Sequence, residues 1–261
     1  MKLGVCAGID SAQAVSDAGY DYIEGGLHVI AKMSREQLVQ NKEYLDDCNI
    51  KMEATNLFFP GEIHLAGEDA DLQKISDYVH RAFDNAVFLG VQTCVLGSGG
   101  SRRIPDGIER KRGYEQVLKA VRTAGEIAKD YGITIAIEPL NSLESNVFTT
   151  VRESLEACRV IGLDTVCVLA DIYHMFMEKE DFSILPIAGD RLKHIHFSHP
   201  LNYSESKRLY PFEGDEYDYT PFADALRQAG YSGRISIEAG TKDIRSDAAK
   251  SFGLMKKLFC E

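Results

Sequence analysis

The sequence predicts one α/β catalytic domain, residues 1–261, closed into a (β/α)8 TIM barrel, and three observations predict it. The length, 261 residues, is close to the ~250 typical of a single such barrel. Strand-like and helix-like segments alternate from end to end, the signature of a parallel sheet covered by helices. Two of the strand-like segments, ITIAIE at 133–138 and RISIE at 234–238, alternate in character and finish in a glutamate. Because strand side chains alternate with period two, Ile133, Ile135 and Ile137 share a face that wants a hydrophobic cover, while Thr134, Ala136 and Glu138 share the other. Ile235 and Ile237 against Ser236 and Glu238 repeat the arrangement, so two strands end in a Glu that points into one narrow interior.

In chain order, a first strand at 2–7 leads to a helix at 11–18, with Ser11 in the place of an N-cap. A second strand at 20–24 passes through Gly25-Gly26 to a helix at 34–49, whose SREQ start has the spacing of a capping box. The third strand, 51–57, runs into the long loop FFPGEIHLAGED and a helix at 70–89 that Gly90 closes. Strand four, 93–96, meets the glycine-rich GSGGSRRIPDG, and an amphipathic helix at 113–131 stops at Gly132. The organising strand at 133–138 breaks at Pro139 and is followed by a helix at 151–161 that ends at Gly162. Strand six at 166–171 precedes a weakly helical stretch at 182–190, and strand seven is 192–197. A helix at 221–229, a strand at 233–238 and a helix at 247–259 complete eight pairs, which suit a closed barrel better than an open doubly wound sheet.

Composition narrows the partners. A net charge of −11 repels phosphate polymers and anionic membrane surfaces, so neither nucleic acid nor a membrane is expected. The six cysteines (Cys6, Cys48, Cys94, Cys158, Cys167, Cys260) form no CxxC pair and read as free, mostly buried thiols of a reducing compartment. The apolar run LGVCAGI stops at Asp10, so no signal peptide or transmembrane span is expected, and the expected location is the cytoplasm.

In a barrel of this kind the chemistry sits at the C-terminal ends of the strands. Four consecutive strands offer metal-ligand types there: Glu138, Asp171, His196 and Glu238. Three carboxylates and one imidazole make a hard, oxygen-rich set for one divalent ion, Mn2+, Mg2+ or Co2+, with Zn2+ also admissible and Ca2+ less natural because of the His. Strand seven, HIHFSH, also carries His194 and His199; His194 shares the face of His196 one layer lower, and His196, nearer the strand end, is preferred as the ligand. His174, three residues past Asp171, and Glu144, six past Glu138, lie close enough in the chain to these strand ends to join the same site. The loop with Arg102 and Arg103 is a weaker candidate for a phosphate, and His28 and His64 are loop histidines of the same face, whereas His80 inside a helix reads as structural. Phe58, Phe59, Tyr173, Phe176, Tyr203 and Tyr210 fall in loop positions and are candidates for apolar walls of a binding cleft.

The ordered set of Glu138-Pro-Leu-Asn141 with Glu144, Asp171-Ile-Tyr-His174, the HIH of strand seven and ISIE ending at Glu238 resembles the xylose isomerase-like TIM barrels, and within them the D-tagatose/D-psicose (ketose) 3-epimerases. The resemblance implies a metal held by Glu138, Asp171, His196 and Glu238, and a substrate held near its carbonyl by Glu144 and His174. It also implies an Arg six residues beyond the metal His; that position is Asn202 here, and Arg208 is the nearest candidate for substrate binding.

The expected activity is a metal-dependent isomerase of carbohydrate metabolism, Mn2+ favoured, that epimerises a small ketose or sugar phosphate at C3 through an enediolate. The metal stabilises the enediolate oxygen, and Glu138 and Glu238 supply acid and base on opposite faces, in roles that depend on the substrate's hand. The alternatives are an aldose-ketose isomerase of the same fold, a sugar-binding sensor that has lost turnover, and a metal-dependent abasic-site endonuclease. The last needs further histidines after strand seven, where this chain reads EGDEYDY. Subunit number is left open, with a homo-oligomer admissible.

Overall fold

The computed structural model describes residues 1–200 and 208–260. Its strands are β1 Lys2–Cys6, β2 Tyr22–Gly26, β3 Lys51–Asn56, β4 Thr93–Leu96, β5 Thr134–Ile137, β6 Val166–Asp171, β7 Leu192–Phe197 and β8 Arg234–Ile237. Each pairs in parallel with the next, and β8 pairs with β1, so the sheet closes as a barrel in chain order. The helices are α1 Ala12–Asp17, α2 Leu27–Ile30, α3 Arg35–Asp47, α4 Leu72–Leu89, α5 Gly99–Arg102, α6 Arg110–Tyr131, α7 Val151–Ile161, α8 Ile172–Met177, α9 Ile184–Ala188, α10 Thr220–Gln228 and α11 Ile244–Phe259.

The alternation read from the organising strand has its expected result. Ile135 and Ile137 join the large core between barrel and helices, while Ala136 meets Val95 and Leu169 in a small separate cluster inside the barrel. The N-terminal end of the barrel is closed by ions: Glu53 pairs with Lys2 at 2.6 Å and with Arg234 at 2.6 Å. Four cysteines are buried, Cys6 is partly covered, Cys260 is exposed and all six are free. Among the described residues no helix is long and apolar enough to cross a membrane.

Helix ends differ from the sequence reading where a cap or a packing contact decides them. Ser34 caps α3 as expected: its side chain accepts from the Gln37 N–H, and the Gln37 side chain accepts from the Ser34 N–H. Ser11 is not a cap. It belongs to a 3-10 turn, Ile9–Ser11, its backbone is already helical (φ −89°, ψ 0°) and its hydroxyl makes no capping bond, because capping requires an extended residue whose side chain folds back on the first turn. Asp71 and Asp243 move two other starts, capping α4 at Leu72 and α11 at Ile244. The α6 helix begins at Arg110 and takes Gly113 into its buried face, so packing overrides the low helix propensity of glycine. The weakly helical stretch resolves into α9 and a 3-10 turn, Gly189–Arg191. The predicted stops at Gly90, Gly132 and Gly162 hold.

Candidate active site

Each strand end sets its side chain by a local device. The Glu138 N–H extends the β4–β5 ladder to Leu96 O at 3.2 Å, which carries the carboxylate over the barrel mouth. Gly97 leaves the room: a Cβ there would lie 2.2 Å from Glu138 Oε2. Asp171 ends β6 and is also the N-cap of α8, its Oδ1 accepting from the Tyr173 N–H at 2.7 Å. The other oxygen is left to face the mouth, buried and with no hydrogen-bond partner. One turn later His174 points back to the same place, Nε2 lying 3.9 Å from Asp171 Oδ2. Register pairs Asp171 with His196 and His196 with Ser236. Glu238 follows β8, its N–H bonded to Phe197 O at 3.1 Å and its Oε1 accepting from Asn56 Nδ2 at 3.2 Å.

The four expected ligands converge. One donor atom each from Glu138, Asp171, His196 and Glu238 lies within 4.8 Å of the other three. His196 Nδ1 is 2.9 Å from Glu138 Oε1 and 3.3 Å from Glu238 Oε2. His196 rather than His194 reaches this cluster; His194 lies a layer lower, Nε2 2.7 Å from Glu24 Oε2. His199 stands past the strand end, Nε2 4.0 Å from Asp215 Oδ2. Arg208 sits among the carboxylates, 3.5 Å from Asp171 and paired with Glu238 and with His174.

The electrostatics follow from burying these groups together. Burial opposes ionisation of Glu138, but the charge and hydrogen bond of His196 outweigh it and push the carboxyl down to about 2. Glu24 is held well below the carboxylate range in the same way, by His194 and His196 against its burial. His196 itself lies well above the imidazole range: burial opposes its charge, and the surrounding Glu24 and Glu138 prevail. Burial, assisted by Glu138, raises Asp171, and burial together with the Arg208 charge holds His174 well below the imidazole range. Cys6 also lies near His196, within reach of Glu24, but burial pushes its thiol up to about 12.

The remaining sequence candidates separate into lining and structural groups. A cavity of about 850 Å3 over the barrel mouth is lined by Asn141, Glu144, Tyr173, Arg208 and Glu238, and also by Cys6, Glu24, Asn56 and His28. Glu144 Oε1 accepts from Asn141 Nδ2 at 2.8 Å, and the Asn141 backbone N–H donates to His174 Nδ1 at 3.0 Å. His64 does not line the cavity, and His80 is exposed on α4 against the Tyr131 hydroxyl. The phosphate reading of the glycine-rich loop loses one of its two cations: Arg102 is fully buried and donates to Leu96 O at 2.9 Å and Phe148 O at 3.2 Å, while Arg103 is exposed and does not line the cavity. Of the aromatic candidates among the described residues, Tyr173 alone lines the cavity; Phe58 and Phe59 pack inward with Phe83 and Tyr78, Phe176 packs on Tyr217, and Tyr210 is buried elsewhere. Asn202 and Tyr203 lie outside the described residues. Sequence reasoning passed over Glu24, although the strand predicted at 20–24 ends in YIE and repeats the apolar-to-acid ending used to find Glu138 and Glu238.

The chain has relatives over most of its length. The family model described as xylose isomerase-like TIM barrel matches residues 12–258. The L-ribulose 3-epimerase of Methylomonas sp. (strain DH-1) is 30% identical over 238 residues, 87% of this chain and 76% of that one. The D-psicose 3-epimerase of Agrobacterium fabrum is 26% identical over 88% of this chain and 78% of its own. A crystal structure of a D-psicose 3-epimerase in the presence of D-fructose superposes with a TM-score of 0.87 over 100% of both chains at 22% identity, a likeness of fold.

Proposed function

Since this chain belongs to the xylose isomerase-like TIM barrel family, we propose that it is a divalent-metal-dependent ketose 3-epimerase, which inverts C3 of a small ketose through an enediolate. The observation that carries the reading is the meeting of Glu138, Asp171, His196 and Glu238 from four successive strand ends, donor atoms within 4.8 Å. The donor set fits a hard cation. So do Asp171 Oδ2 and Glu238 Oε2, which are buried together at the mouth and already draw the Arg208 guanidinium to themselves, since buried carboxylate oxygens are costly unless a positive charge is near. The four residues would hold one ion, Mn2+ in preference to Mg2+, Co2+ or Zn2+. When bound, it acts as a Lewis acid toward the oxygens that become negative as C3 loses its proton.

The rest is done by side chains. Glu138 and Glu238 reach the mouth from β5 and β8, so a ketose lying between them presents one face of C3 to each. One takes the proton and the other returns one to the opposite face, a service worth ~10²- to 10⁴-fold for each group. Glu138, held well below the carboxylate range by His196, is ionised at neutral pH; the hand of the substrate decides which Glu is the base. Asn141 fixes His174: its N–H donates to Nδ1, which turns Nε2 toward the mouth, where it lies against the Arg208 guanidinium and within reach of a substrate oxygen. Arg208 and Glu144 complete the hold on the oxygens near the carbonyl. The ketose is unphosphorylated in this reading, with Arg102 committed to backbone carbonyls and Arg103 outside the cavity lining. A cytoplasmic place in carbohydrate metabolism belongs to the same proposal.

The test is proton NMR of a ketose incubated with enzyme and Mn2+ in deuterated water. The C3 epimer with deuterium at C3 is expected; a new aldose with deuterium at C1 or C2 would make the protein an aldose-ketose isomerase instead.

A further inference from the structure

Beneath the four ligands the barrel interior holds polar side chains that the proposed chemistry does not use. Tyr22, Ser236, Glu24 and His194 are all fully buried there, below His196. Tyr22 fits because Gly4 on the adjacent strand has no side chain; a Cβ at Gly4 would lie 2.3 Å from the Tyr22 ring. A carboxylate in such a place is unfavourable unless both oxygens are paired, and those of Glu24 are. Oε2 accepts from Ser236 Oγ and lies 2.7 Å from His194 Nε2, and Oε1 lies 3.0 Å from His196 Nε2.

We propose that Glu24 is a positioning residue for His196: it holds the ring in the tautomer and orientation that direct Nδ1 at the metal. The inference rests on the metal-site reading above. An ionised carboxylate only accepts hydrogen bonds, so the nitrogen facing Glu24 carries the proton. That nitrogen is Nε2, and the lone pair is then on Nδ1, the atom 2.9 Å from Glu138 and 3.3 Å from Glu238. In the other tautomer a lone pair would oppose Glu24 and an N–H would oppose the cation. The negative charge behind the ring also makes Nδ1 a stronger donor, as carboxylates behind metal-bound histidines do.

The neighbours hold the carboxylate in place. His194 Nδ1 has no hydrogen-bond partner, so the proton of this ring resides on Nε2 and is given to Glu24. Ser236 gives its O–H to Glu24 and receives one from Tyr22, 2.7 Å away. Glu24 is therefore gripped from β7 and β8 while it reaches from β2, and it cannot turn away from His196 without breaking two other bonds. His194 braces the carboxylate; it is not a ligand. A glutamine at 24 keeps the shape but presents an NH2 group to one of the two imidazoles, forcing one ring into the wrong tautomer.

The experiment is a calorimetric Mn2+ titration of chelator-stripped wild type, Glu24→Gln and Glu24→Ala, with melting in chelator as the check of folding. The expected result is a cooperative melt and an affinity weakened roughly 10- to 100-fold. An unchanged affinity in Glu24→Gln and in Glu24→Ala, which leaves nothing at 24 to accept from His196, overturns the inference. A second measurement needs no variant: 15N NMR of the wild-type protein with Mg2+ should find the His196 proton on Nε2, and a proton on Nδ1 overturns the inference even if Glu24→Gln fails to fold. A wild type that retains no divalent ion sinks the metal-site reading and takes this inference with it, a result distinct from equal binding by wild type and variants.

Discussion

Asp171 serves two structures at once, one with each oxygen. Oδ1 caps α8 through the Tyr173 N–H, and Oδ2 faces Arg208 and the cluster at the mouth. The two uses are separable by mutation. Asparagine caps a helix about as well as aspartate, whereas alanine costs roughly 0.5–2 kcal/mol. Asp171→Asn should therefore melt within about a degree of wild type in chelator while its Mn2+ affinity falls; Asp171→Ala should lose both. Wild-type affinity in Asp171→Asn, read by titration, would remove Asp171 from the ligand set. At this scale the sequence was most informative where a residue type and a strand end coincided, as at Glu138, Asp171, His196 and Glu238. It was least informative where burial decides. Arg102 looked like an anion-binding cation until its guanidinium proved to be spent on carbonyls, and Glu24 showed the same strand-to-Glu ending without being weighed.

Elements were legible by existence and order, and less so at their ends. Three helix starts were displaced because a cap is a matter of backbone conformation: Ser34 is extended and caps, Ser11 is helical and does not. Strand partners are tied at their N-terminal ends by Glu53, which links β3 to Lys2 of β1 and Arg234 of β8. Burial opposes the charge of Glu53, but Lys2 and Arg234 outweigh it and hold the carboxyl below its usual value. A carboxyl depressed by folding contributes stability that is fully present above its unfolded pKa of about 4.3 and is lost as pH falls through the lower folded value. Lys2 is half exposed, so the pairing contributes only on the order of 1 kcal/mol. Glu53→Gln should lower Tm by roughly 2–4 °C at pH 7, and the gap between the two proteins should narrow as the pH drops below about 4. A gap independent of pH in thermal melts would show that the ions at this end contribute nothing.

For the whole molecule, chain order and spatial order are the same, since every strand pairs with its successor and the last with the first. That identity is why four successive strand ends could be expected to face one quadrant before any coordinates, and why the relatives' fold is shared at low identity. Depth was legible along one strand, where His194 was read a layer below His196 and lies there; that Glu24 reaches both rings from β2 was not, because period two says which residues point inward but not which of them meet across the interior. The account's central claim is that one divalent ion, held at the mouth by Glu138, Asp171, His196 and Glu238, is required for C3 epimerisation. Its most direct test is to strip the protein with a chelator and follow ketose epimerisation as Mn2+ is returned. Activity should be absent at the start and saturate at one equivalent per chain; full epimerisation by protein that retains no divalent ion would contradict the claim.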